Sequence, residues 1–186
     1  MFLLKRSRRL SILLILFIAL AFSVQEYAFA VISISAPTDL TLSTITGTGT
    51  SSGNITWNIQ TDNVNGYKLE WQAGSATMAS GSDTVAAYTP AVANTPETWS
   101  VAAADSEWGA RLKSASTDAA AEWGTDSSTE KWLNVATSAR QIVSRASATG
   151  GGGSDEIIDF KVEIGSNYFQ PTGTYTVNIT ITATEL

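Results

Sequence analysis

Apolar and polar residues alternate with a period of two along most of the chain. A strand puts such residues on opposite faces, and a helix does not. In NITWNIQ, Ile55, Trp57 and Ile59 share one side, and Thr56, Asn58 and Gln60 the other. In GYKLEWQ, Tyr67, Leu69 and Trp71 oppose Lys68, Glu70 and Gln72. SEWGARLK places Trp108, Ala110 and Leu112 inward, with Glu107, Arg111 and Lys113 outward. The longest runs are EIIDFKVEIG, with Ile158, Phe160, Val162 and Ile164 on one side, and TYTVNITITATEL, with Tyr175, Val177, Ile179, Ile181 and Ala183. Apolar-in, polar-out is the pattern of antiparallel sheets with one wet face.

Further strands are expected at 31–36, 39–44, 84–89, 97–103, 130–135 and 140–146. The stretch 113–131 alternates poorly and suits a loop or one short helix near Asp118–Trp123. The expected fold is all-β: a single antiparallel β-sandwich, Ig-like or jelly-roll-like, of about nine or ten strands.

Gly150–Ser154 has the composition of a flexible tether, but only 32 residues follow it. They suffice for one hairpin, and an isolated hairpin is marginal in water. The late strands must therefore pair with earlier ones, which makes the glycine run an internal loop of one domain spanning 31–186. A fusion scar is the alternative reading of GGGGS.

Residues 1–30 read as a cleaved signal peptide. Lys5, Arg6, Arg8 and Arg9 precede an apolar run from Leu10 to Val24. Ala28 and Ala30 then give the small-x-small pattern for cleavage before Val31. An uncleaved anchor is the rival, but that run is shorter than the roughly 20 residues that span a bilayer. With no cysteine, a lipidated N-terminal cysteine is excluded and no disulfide helps the fold. The membrane is expected to matter only before cleavage, and the mature protein to be secreted or at the cell surface.

The mature chain holds 7 Lys and Arg against 16 Asp and Glu, a net charge of −9. Such a surface repels phosphate backbones, so no nucleic-acid partner is expected. With no histidine and no cysteine, Ser-His-Asp and Cys-His catalysis and His- or thiolate-based metal sites are excluded. No cofactor and no catalytic residue is assigned. A carboxylate-only hydrolase would need two acids facing each other across a cleft.

Two oxygen-rich clusters raise the question of calcium, Asp62/Asn63/Asn65 and Asp155/Glu156/Asp159, both without EF-hand spacing. Asn65-Gly66 between two alternating runs is instead a hairpin signal. Of the 6 tryptophans, Trp57, Trp71, Trp99 and Trp108 fall on inward phases. Trp123 and Trp132 flank the loop segment and are the ones placed to stack on a ligand, core packing being the alternative. Asn54 and Asn178 each begin an Asn-Ile-Thr sequon on an outward phase.

Three stretches carry a resemblance. TDNVNGYKLEW resembles a hairpin of small secreted β-sandwich surface proteins of candidate-phylum (Patescibacteria-type) bacteria and some archaea. SEWGARL resembles their W/F-G-aromatic-x-L strand, with Ala110 in the aromatic's place. FKVEIGSNYFQPTGTYTVNITITATEL is similar to their closing hairpin, and its last strand to those of WxL-type wall-binding and spore coat U-like domains. The resemblance implies a cell-surface or matrix component and carries over no catalytic or binding residue.

The leading reading is thus an exported, non-catalytic structural or adhesive protein. Its expected partners are copies of itself, other surface proteins or glycans. Ile32 and Ile34 in VISISAP alternate as an assembly strand would, completing either their own sandwich or a neighbour's sheet edge. The alternative is a carbohydrate- or ligand-binding module using Trp123 and Trp132.

Overall fold

The structure, a computed structural model, describes residues 30–126 and 129–186. The signal-peptide reading, Ala28 included, falls almost wholly outside them. Ala30 and Val31 are described and exposed. Residues 31–186 form one compact unit.

That unit is all-β, with nine strands in two packed sheets. They are β1 (Ile32–Ile34), β2 (Gly49–Thr61), β3 (Tyr67–Ala73), β4 (Thr77–Ser80), β5 (Asp83–Ala87), β6 (Ser106–Leu112), β7 (Arg140–Arg145), β8 (Ser154–Ile164) and β9 (Ile179–Glu185). The large sheet runs β1-β2-β8-β6-β5-β4 and the small one β7-β3-β9. Pairing is antiparallel except between β5 and β6, where Ala86 and Ala87 lie parallel to Glu107 and Trp108. The only helical turn among the described residues is a 3-10 turn at Ala121–Trp123.

Register follows the alternation. Ile55 of β2 faces Ile158 of β8, and Trp108 and Leu112 of β6 face Val162 and Ile158. These residues point at Leu69 and Trp71 of β3 and Val143 of β7, which build the other half of the core. Burying an apolar side chain of this size contributes roughly 1.5–3 kcal/mol, and in a chain without cysteine that packing and the ladders carry the fold. The glycine run joins β7 to β8, and β8 pairs with β2 and β6 on its two sides. It is an internal loop.

Three expected strands are not paired as such. Residues 39–44 form no strand and join no sheet. Segments 97–103 and 130–135 meet through one bridge, Glu97 with Trp132, and a second, Leu133 with Ala110, ties the latter to β6. The polar-outward side of β6 is the reason. These segments cover it instead of extending a sheet, so Arg111 is buried. The last run splits: Thr176 bridges to Ala79 of β4, while Ile179–Glu185 pair with β3, tying both sheets together. β4 itself, TMAS, is too weakly patterned to announce a strand. At the end of β8 a turn exposes Phe169, at 86%.

The Asn65-Gly66 turn forms, but the expected hairpin does not: β2 pairs with β1 and β8 and β3 with β7 and β9, so the turn carries the chain from one sheet to the other. Gly66 has φ +82°, and a Cβ there would run into the carbonyl of Arg145. Gly66→Ala is therefore expected to lower unfolding free energy by about 1–3 kcal/mol. Gly151→Ala, in open space, should change it by less than about 0.5 kcal/mol. Urea unfolding of the two variants checks this.

Candidate functional site

Both loop tryptophans lie inside the molecule, which corrects their assignment as ligand-stacking residues. Trp123 is wholly buried, edge-on to Trp71 at 5.4 Å, with Arg140 over its ring at 5.8 Å. Trp132 is 2% exposed, between Trp99 (5.5 Å) and Lys161 (4.2 Å). The 3-10 turn and the bridge to Glu97 fold these segments inward, so neither ring is open for stacking on a sugar.

The two oxygen-rich clusters have hydrogen-bonding or packing roles of their own. Asp62 Oδ1 accepts the Val31 N–H at 2.7 Å, and Asn63 Oδ1 accepts the Asn65 N–H at 3.0 Å, closing the turn between β2 and β3. Asn63 Nδ2 donates to the carbonyl of Leu186 at 2.9 Å, so this corner holds both ends of the domain. On β8, Asp155 and Asp159 point outward and Glu156 inward, and no metal-ligating cluster occurs among the described residues.

Two buried polar centres take their place. Arg111, on the outer face of β6, gives its Nε to Asp159 at 2.9 Å and its Nη2 to Asp126 at 2.7 Å, with Glu130 at 3.5 Å. Its guanidinium lies 5.3 Å from the Trp132 ring. Burial alone would raise the Asp126 carboxyl, but Arg111 and Ser114 hold it below its ordinary value. Around this centre Trp99 stacks on Tyr88 at 4.5 Å and donates to Glu163 at 2.6 Å. Gly109 makes the room, since a Cβ there would stand 2.9 Å from Trp99 and from the Leu133 carbonyl.

The second centre lies between the sheets. The Tyr67 hydroxyl reaches Glu156 Oε1 at 3.0 Å and Asp118 Oδ2 at 3.1 Å. The Ser154 hydroxyl reaches the same two oxygens at 3.1 and 2.6 Å. Arg145 Nη1 donates to both Asp118 oxygens, at 2.9 and 3.1 Å. Burial pushes the Glu156 carboxyl up to about 7, with the charge of Asp118 adding to it. Burial raises the Tyr67 hydroxyl as well. Asp118 sits below its ordinary value despite burial, through hydrogen bonds from Ser154 and Arg145. A glycosidase pair stands about 5–10 Å apart across a cleft. These two carboxyls, Glu156 buried and Asp118 partly so, are bridged directly by hydroxyls, an arrangement that joins sheets and leaves no cleft for a sugar between its acids.

The surface feature with reach toward a partner is the N-terminal edge. Ile32, Ser33 and Ile34 pair with Thr61, Gln60 and Ile59, completing the chain's own sheet. The Ser35 N–H adds a bond to the Asn58 carbonyl at 2.9 Å. Beyond that, residues 36–48 make no backbone hydrogen bond among the described residues. Their hold is apolar: a Cβ on Gly53 would lie 3.0 Å from Leu40 and Leu42. The edge of β2 from Gly49 to Trp57 is left without a backbone partner, and the whole strand contains no charge and no proline. A shallow cavity of about 290 Å³ beside β1 is lined by Val31, Ser33, Gln60, Asp62, Thr149 and Gly150, among others.

No family model, no curated protein and no solved structure matches the chain.

The Arg111 centre makes a sharp expectation. Removing one partner of a buried ion pair leaves the other charge uncompensated, at a cost of about 3–5 kcal/mol. Arg111→Ala should lose stability on that scale, whereas Lys113→Ala, whose side chain is 30% exposed and 3.8 Å from Asp159, should lose at most about 1 kcal/mol. Thermal and urea denaturation of both variants measures the difference.

Proposed function

We propose that the protein is an exported, non-catalytic structural subunit of the cell surface or extracellular matrix that assembles by β-strand addition through its N-terminal arm. The observation that carries this reading is the β2 edge. Natural sheets guard exposed edges with charges, prolines or bulges. β2 presents nine edge residues with neither charge nor proline, under a covering segment that holds by side-chain contact alone.

The arm suits the part. Val31 and Ile34 are exposed at 63% and 37%, and only three residues pair β1 to β2. An extended segment added to such an edge gains main-chain hydrogen bonds, and its alternate side chains give register. The basic-then-apolar start and the Ala28–Ala30 pattern support export, and cleavage before Val31 would put this strand at the new N-terminus. Copies, other surface proteins and glycans remain the partner classes. The glycan-binding alternative loses Trp123 and Trp132, its two residues, to the interior.

Light scattering of the mature chain 31–186 over a concentration series is expected to show growing multimers. Deleting 31–36 should leave a monomer that keeps its near-ultraviolet tryptophan signal. Multimers that persist without the arm would sink strand addition. A monomer at every concentration for the intact chain would sink self-assembly itself and leave adhesion to another molecule.

A further inference from the structure

Glu156 is on the inward phase of β8, opposite Trp57 of β2, and no part of it reaches solvent. Its Oε1 is held by the hydroxyls of Tyr67 and Ser154, and its Oε2 has no partner among the described residues. The groups around it come from several elements. β3 supplies Tyr67, β8 itself Ser154, and the loop after β6 supplies Asp118. β7 supplies Arg145, whose guanidinium is spent on Asp118 and on the carbonyls of Ser147 and Ala148. β9 brings Glu185, within 3.5 Å of the Thr61 hydroxyl. One cation thus serves Asp118, and among the described residues no cation pairs with Glu156 to balance a second negative charge. A buried carboxyl in that position is neutral or costly.

We propose that Glu156, Asp118, Tyr67, Ser154 and Arg145 form a proton-operated latch between the two sheets, shut while Glu156 is protonated and loosened when it ionises. Protonated, Glu156 bridges to Asp118 through the two hydroxyls and ties β8 to β3. Ionised, it sets a second negative charge beside Asp118 at a position with no access to solvent of its own. The elements that bear the strain are those next to it: Ser154 at the head of β8, the glycine loop, and Thr149, which pairs with Thr61 beneath β1.

The direction follows from linkage. The folded pKa is about 7 and the ordinary value 4.5, so the folded state binds the extra proton between them. The contribution of Glu156 is complete below about pH 4.5, declines as pH rises, and is gone above about 7. Asp118 is shifted the other way, so its contribution is lost only in more acid solution and does not oppose the trend. In the window between, the folding equilibrium should weaken by a factor approaching ten for each pH unit.

Carboxyl-carbon NMR of 31–186, together with unfolding midpoints from pH 4.5 to 8.5, tests the latch. Glu156 should titrate near neutrality, and the midpoint should fall through that range. Glu156→Gln, which keeps the acceptor and removes the titration, should flatten the fall. A Glu156 that titrates with ordinary carboxylates overturns the proposal, as does an equal fall in Glu156→Gln. Should that variant fail to fold, the wild-type titration decides alone. Neither readout depends on assembly.

Discussion

The fold hangs on β8. Its eleven residues pair with β2 along one side and with β6 along the other, so each further strand of the large sheet is attached through it. Its two faces do different work. Inward, Ile158 packs in the core and Glu156 reaches across to Tyr67 of the small sheet. Outward, Asp159 and Lys161 hold the covering segments through Arg111 and Glu130. Side-chain alternation along one strand therefore builds both the sandwich and the layer outside it.

Much of this was legible in the sequence. Trp57, Leu69, Trp71, Trp108 and Ile158 were placed by period alone, because a two-residue repeat fixes the face wherever one side is buried. The turn at Asn65-Gly66 was legible for a local reason, the tolerance of positive φ, but that it passes between sheets and closes no hairpin was not. What escaped was long-range. Arg111 occupies an outward position on β6, and nothing within its own strand says that residues 97–99, Asp126 and residues 130–133 will fold over it. Trp99 follows the same logic, reading as core yet packing on the outer layer with Tyr88 and Trp132. Glu156 did leave a trace: it shares the phase of Ile158, Phe160 and Val162. A carboxylate in phase with a core strand signals a buried acid, provided the strand's start is read two residues earlier.

The chain's composition shapes how it manages polarity. Lacking histidine and cysteine, it has one titratable side-chain class besides tyrosine that responds below alkaline pH, the carboxylates. Where most proteins set a histidine to sense neutral pH, the same range is reached here by burying an acid beside another. Its basic residues are few, and Arg111, buried, and Arg145, partly buried, each serve more than one acceptor.

Both ends of the domain meet at the Asp62–Asn63 corner, Val31 on one side and Leu186 on the other. The turn that carries Phe169 follows the far end of β8, whose eleven residues span about 34 Å at the usual rise per residue. Whatever grips either end of the domain therefore holds it by one pole. Held at that corner, the domain would leave its other pole, with the exposed Phe169 ring, free.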